Sequence, residues 1–290
     1  ILLNKLFYLS ISRAFTKRAL KDMQAIFLPM KPKRVVFVRQ NQVAVEDFEL
    51  RQPASGEVLI KSVSTLISPG TEIAFLMALP NTSAVFPQPP GYSNAGMVAV
   101  VGDAVSQVRV GDRVASRRPH ASHVLAHEDD VLKIPDGLSF DEATFFTLAS
   151  IALQGVRKAN IELGDSVVVL GQGLVGQLAL QLAKLSGGMP TIGVDLYDPR
   201  LEVSLKHGAD YVFNPGKVHL EEEVGRVTEG KGASVVIEAT GSPEAVPTAL
   251  KLAGNYGRVI LLGSTRGEST VNFYRDVHRK GVTVIGAHNS

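Results

Sequence analysis

The chain has 290 residues, 45% of them apolar, no cysteine and a formal net charge of +2. That length fits one large or two medium domains, and the apolar content supports a packed core. The lack of cysteine excludes disulfides and thiolate-bound zinc, and no apolar run reaches the roughly 18 residues of a membrane span.

Residues 1–34 carry eight Lys and Arg against one acid, Asp22, which leaves the remainder with 22 bases and 27 acids. A mildly acidic body argues against a nucleic-acid surface. Residues 1–30 are apolar and basic and begin at Ile1, with Met23 and Met30 further on. They read as an extension outside the fold, or else as a targeting peptide. The expected location is cytoplasmic, with organelle targeting left open by this segment.

From Lys33 to Leu138 the chain alternates short strands with turns. "RVVFV", "EVLIKSV", "GMVAVV", "QVRVGDRVAS" and "HVLAH" supply the strands, and "PASG", "SPG", "PPG" and "PDG" the turns. This pattern predicts a barrel-like all-β unit. At Ser139 the period changes. "SFDE" is a capping box, with Ser139 as N-cap and Glu142 three residues on, and 142–159 reads as one largely buried helix. Apolar runs at 166–170, 191–195, 234–240, 258–263 and 282–286 then alternate with helical stretches. They predict a parallel sheet covered on both faces, with the two domains spanning 31–149 and 150–290.

Between the first of these runs and the next helix lies Gly171-x-Gly173-x-x-Gly176. Glycines at this spacing permit a tight turn, let backbone approach a pyrophosphate, and bring helix and strand close. Leu174 and Val175 would open the helix, whose N-terminus presents N–H groups and a positive dipole to phosphates. The second strand ends in Asp195, 19 residues beyond Gly176, where a carboxylate accepts from a ribose 2′-hydroxyl. Dinucleotide binding is the expectation. A carboxylate at Asp195 repels a 2′-phosphate, so NAD is expected in preference to NADP. Arg200 could pair with a phosphate or frame the ribose. Thr240, Gly241, Gly263 and Ser264 follow two parallel strands and are expected beside ribose and nicotinamide.

Together with "PASGEVLIKSV", "GTE", "PPGYSNAGMVAVVGDAV", "VGDRV", "IPDGLSFDEA", "VIEATGSPEAV" and "GRVILLGS", this chain resembles the medium-chain dehydrogenase/reductase superfamily from about Met30 onward. The resemblance implies an α/β fold: an N-terminal chaperonin-10-like (GroES-like) β-barrel catalytic domain, then a doubly wound parallel-sheet Rossmann domain. It implies an active site in the cleft between them and a small-molecule substrate. It also implies a homodimer through the edge strand, and "VIGAHNS" presenting backbone to the carboxamide. In zinc-dependent members three positions bind the metal. Here they carry Ser68-Pro69, Tyr92-Ser93 and Thr147, so no metal is expected. The family chain returns to complete its catalytic domain after the last strand. This sequence stops there, so that final portion is expected to be missing.

The resemblance makes Thr71 the hydroxyl that exchanges a proton with substrate oxygen; the alternative is a turn residue after Pro69-Gly70. Tyr92 would donate to that oxygen or wall the cleft. Glu72 would be a supporting carboxylate needing a partner if buried, and Ser93 a turn residue. His120, His123 and His127 form a weak metal candidate. His123 and His127 share a strand face without a carboxylate partner, and His120 alone could line the cleft. The expected activity is zinc-free hydride transfer between nicotinamide and an alcohol/carbonyl pair. The alternatives are a quinone or enoyl reductase using NADPH, and a nucleotide-binding protein without turnover.

Overall fold

The computed structural model describes residues 31–288; the expected extension at 1–30 lies outside the described residues. The N-terminal part is antiparallel. Strands β1 (Lys33–Arg39) and β2 (Gln42–Asp47) form a hairpin. Strands β3 (Glu57–Thr65), β4 (Asn94–Val101), β5 (Arg113–Ser116), β6 (His123–His127) and β7 (Val131–Lys133) form a five-stranded sheet in the order β6-β3-β4-β5-β7. The sheet is an open half-barrel with β6 and β7 at its edges. Its core is β-branched: Val58, Ile60, Val98, Val114, Val124 and Val131.

Helix α1 (Pro69–Leu76) follows β3. Ser139 and Glu142 form the expected capping box at the start of α2 (Phe140–Ala143). The helix expected over 142–159 is interrupted, however. It breaks after Ala143 and resumes as α3 (Phe146–Ala159). The carbonyl of Thr144, at the break, accepts the Ser93 hydroxyl.

The C-terminal part is a six-stranded sheet, parallel throughout. Its strands are β8 (Val167–Leu170), β9 (Thr191–Val194), β10 (Tyr211–Phe213), β11 (Ala233–Glu238), β12 (Ala253–Leu261) and β13 (Thr283–Gly286). The order β10-β9-β8-β11-β12-β13 is two βαβ halves wound outward from β8. Helices α4 (Leu174–Leu185), α5 (Asp198–Lys206), α6 (Leu220–Val227) and α7 (Ala245–Leu252) connect them. On one face Ala152, Val156 and Ala159 of α3 and Ala179 and Leu180 of α4 pack on Val167, Val169, Val235 and Ile237. On the other, Leu220, Val224, Ala249 and Leu250 pack on Val168, Val194, Val236 and Val259. Burial on both faces is why these strands are unbroken apolar runs. Among the described residues no helix is long and apolar enough to cross a membrane.

β11 ends in Glu238, which is fully buried. Its Oε1 accepts the Thr240 amide at 2.6 Å, the Thr240 hydroxyl and the Gly241 amide at 3.1 Å. These donors favour the carboxylate, but burial outweighs them and raises its pKa above the usual 4.5. A raised carboxyl contributes stability below pH 4.5, which is lost as pH climbs through the folded value. Glu238→Gln does not titrate. Paired denaturant melts are therefore expected to show the wild type losing stability relative to Glu238→Gln as pH rises above about 4.5, by ~1.4 kcal/mol per unit of displacement. A pH-independent difference would show that the N–H donors fully compensate for burial.

Candidate active site

The glycine loop is built as its spacing requires. Gly171 has φ +86°, and a Cβ on Gly176 would fall 1.7 Å from the Gly171 carbonyl oxygen. No side chain fits there, so α4 starts hard against β8. A Cβ on Gly173 would meet nothing within 4 Å. Open space therefore faces the backbone at the N-terminus of α4, which fits an approaching pyrophosphate. Leu174 and Val175 form the first turn of that helix.

Asp195 lies just past β9, and its side chain is 5% exposed. Its Oδ2 accepts the Gln172 amide, within the glycine loop, at 2.7 Å, and its Oδ1 accepts the Tyr197 amide at 2.9 Å. The carboxylate thus fixes the loop. Arg200 donates to Oδ2 at 3.3 Å, and its guanidinium carbon sits 4.9 Å from the Tyr197 ring centroid. Arg200 is thereby held beside the acid, on the rim of the cradle.

Two glutamines that the motif reading missed complete the loop. Gln172 is 1% exposed, donates from Nε2 to the Val169 carbonyl at 2.8 Å and accepts the Ser204 hydroxyl at 3.0 Å. Gln177 donates to Ser204 Oγ at 2.9 Å and to the Arg200 carbonyl at 2.8 Å. The sequence signal for Gln172 is a polar residue between two required glycines, and Gln177 follows the third.

The loops after β11 and β12 touch through backbone. Gly241 has φ +71°, and a Cβ on Gly263 would fall 2.4 Å from the Gly241 amide nitrogen. Thr240, Gly241, Gly263 and Ser264 are thereby brought together at the strand ends. Arg266 and Asn81 bridge this corner to the barrel. Asn81 Nδ2 donates to the Thr265 carbonyl at 2.8 Å and Arg266 Nη1 to the Asn81 carbonyl at 3.0 Å. In the "VIGAHNS" stretch, the Gly286 carbonyl accepts Lys158 and the Ala287 amide donates to Leu261. Asn289 and Ser290 lie outside the described residues.

On the barrel side, Ser68-Pro69-Gly70-Thr71-Glu72 does not form a turn. It starts α1, with Ser68 as N-cap. Pro69 is accommodated at the first helical position because its missing N–H would be unpaired there anyway. Thr71 Oγ1 and Tyr92 Oη lie 3.5 Å apart, both partly exposed. Ser93 is not a turn residue in its chemistry either. It is 1% exposed and donates to the Thr144 carbonyl, and it lies 3.1 Å from Thr147 Oγ1. Thr147 in turn donates to the Tyr92 carbonyl at 3.2 Å.

The three positions compared with metal ligands thus carry Ser68-Pro69, Tyr92-Ser93 and Thr147, and the hydroxyls of Ser93 and Thr147 are spent on each other and on backbone. This donor set does not fit zinc, which takes thiolate, imidazole or carboxylate. The three histidines turn to different partners: His120 to Glu72, His123 to Ser122, and His127 to Asp129. Burial and the Lys61 charge lower the His123 pKa. Among the described residues no three His, Asp or Glu side chains gather as a metal-ligand group.

Residues 175–290 match the family model described as zinc-binding dehydrogenase, a match lying within the parallel-sheet half. D-guloside 3-dehydrogenase of Escherichia coli K12 is 36% identical over 159 residues, covering 54% of this chain and 45% of that protein. The chain thus spans less than half the length of that relative. L-threonine 3-dehydrogenase of Pyrococcus abyssi is 30% identical over 272 residues, covering 83% of this chain and 78% of that protein. Among solved structures, an alcohol dehydrogenase of Escherichia coli CFT073 in complex with NADH superposes with a TM-score of 0.79 at 22% identity, covering 89% and 83% of the two chains. The half-barrel, the sheet wound outward from β8 and the threonine dehydrogenase relationship agree: the chain belongs to the medium-chain dehydrogenase/reductase, alcohol dehydrogenase-like superfamily.

Proposed function

We propose that the chain carries the catalytic and cofactor sites of an NAD(H)-preferring oxidoreductase acting on an alcohol/carbonyl pair without zinc at the barrel position. The observation that carries this reading is the Thr71–Tyr92 hydroxyl pair, 3.5 Å apart and partly exposed. The preference for NAD rests on Asp195, a carboxylate just past β9 whose negative charge disfavours a nearby 2′-phosphate. A homodimer through the exposed edge of β13 fits the same reading.

When bound, a nicotinamide supplies or accepts the hydride. The chain's own residues do the rest. Backbone at Gly173 and Leu174 receives the phosphates. Asp195 holds the loop and orients the ribose, while Thr240, Gly241, Gly263 and Ser264 line the path toward the barrel. Thr71 exchanges a proton with the substrate oxygen, and Tyr92 supplies a second donor to the charge developing there. One such donor is worth roughly 3–4 kcal/mol of barrier. Ser93 and Thr147 hold the Tyr92 backbone, so the phenol enters the cleft from a fixed point.

Cofactor choice is read by melting the wild type with NADH or NADPH at equal concentration. NADH at 100 times its Kd is expected to stabilise by about 2.7 kcal/mol and NADPH by less, with Asp195→Ala narrowing the gap. Greater stabilisation by NADPH would favour the quinone or enoyl reductase reading.

Turnover is read at 340 nm with L-threonine, a D-guloside and sorbitol. Thr71→Val and Tyr92→Phe are each expected to lower kcat by about 10²–10³-fold. Unchanged turnover in Tyr92→Phe would make the phenol a wall of the cleft. Tight NADH binding with no turnover across a broad panel of alcohols, aldehydes and quinones would make the protein a nucleotide-binding module.

A further inference from the structure

Glu72 and His120 are 9% and 7% exposed, and neither belongs to the nucleotide cradle. His120 Nε2 lies 3.0 Å from Glu72 Oε2. A carboxylate only accepts, so the imidazole nitrogen donates. The other carboxylate oxygen, Oε1, accepts the Ser68 amide at 2.7 Å, which fixes the acid to the start of α1. His120 is fixed by backbone. Its amide donates to the Pro90 carbonyl and its carbonyl accepts the Val35 amide, both at 2.9 Å. Its Nδ1 is buried without a hydrogen-bond partner.

The ring lies against Gly91. A Cβ there would fall 2.7 Å from both Cδ2 and Nε2 of His120, and Gly91 has φ +93°. Space and backbone conformation both therefore require glycine at this position. The local connectivity gives the pair its consequence. Glu72 is the next residue after Thr71, and Gly91 is the residue before Tyr92. One hydrogen bond and one ring contact thus join the two backbones that carry the two cleft hydroxyls.

A buried polar pair is a weak source of stability, because desolvation offsets most of its attraction. What it supplies well is a fixed distance. We propose that His120 is a positioning residue, which through Glu72 and Gly91 sets the separation of Thr71 Oγ1 and Tyr92 Oη. The proposal rests on the reading of those hydroxyls as the pair that meets substrate oxygen. His120 touches neither substrate nor cofactor and acts only through the two elements it joins.

The test compares crystal structures and kinetics of His120→Phe and His120→Gln. Phenylalanine keeps a ring but removes the donor, whereas glutamine keeps an N–H near the place of Nε2. In His120→Phe the Thr71–Tyr92 separation is expected to lengthen by about 1 Å, a displacement large enough to cost up to ~10²-fold in rate. With any alcohol the wild type oxidises, kcat should fall at least about tenfold, while KM and the NADH Kd stay within about twofold. His120→Gln should restore most of both the separation and kcat. An unchanged separation in His120→Phe would overturn the proposal, as would a rate loss that glutamine does not rescue. If His120→Phe does not fold, Glu72→Met is examined instead. Its thioether end offers no carboxylate to Nε2, and the same lengthening is expected. Failure of the wild type to bind NADH would remove the cofactor reading while leaving the separation measurement intact.

Discussion

The bond from the Ser93 hydroxyl to the Thr144 carbonyl is the constraint on which the cleft depends. It joins the turn before β4 to the break between α2 and α3. Helix α3 is itself packed beneath the parallel sheet through Ala152, Val156 and Ala159. One hydroxyl thus connects the half-barrel to the helix that supports the nucleotide half. Thr147 strengthens the junction by donating to the Tyr92 carbonyl. The side chains that could have faced the cleft as ligands are instead turned into a neutral seam. The hydroxyls of Thr71 and Tyr92, 3.5 Å apart, stay outside that seam.

The parallel-sheet half meets a different constraint. It buries two acids at strand ends, Asp195 and Glu238, and satisfies both mainly with backbone N–H groups. Burying a carboxylate is costly unless donors replace the lost water. Here those donors belong to the loops at the strand ends: the Gln172 amide for Asp195, and the Thr240 and Gly241 amides for Glu238. The cost of burial and the shaping of the loops are therefore one arrangement. Each acid fixes a loop, and the fixed loop presents backbone to the cleft.

Much of this was legible in the sequence because it is local. The glycine spacing, Asp195, the capping box at Ser139 and the β-branched runs are all readable within about thirty residues. The short strands β2, β7 and β10 were not read, since three to six residues carry little periodic signal. Helix α1 was hidden because "SPG" is a turn signature, although proline is also at home in a first helical turn. The break at Thr144 was hidden because its cause lies 51 residues away at Ser93. The Glu72–His120 pair spans 48 residues and leaves no pattern in either neighbourhood. The sequence showed that Glu72 would need a partner if buried, and His120 was among the histidines noted, but only the fold joins them.

The central claim is the proposal that the hydroxyls of Thr71 and Tyr92, and no zinc, meet the substrate oxygen, since Ser68-Pro69, Tyr92-Ser93 and Thr147 supply no zinc ligand set. The direct measurement is zinc content by inductively coupled plasma mass spectrometry, on protein expressed in zinc-supplemented medium and dialysed against metal-free buffer. The account predicts well below one zinc per chain, and no change in NADH binding or turnover after dipicolinate treatment. One tightly held zinc per chain, lost together with turnover on chelation, would contradict it.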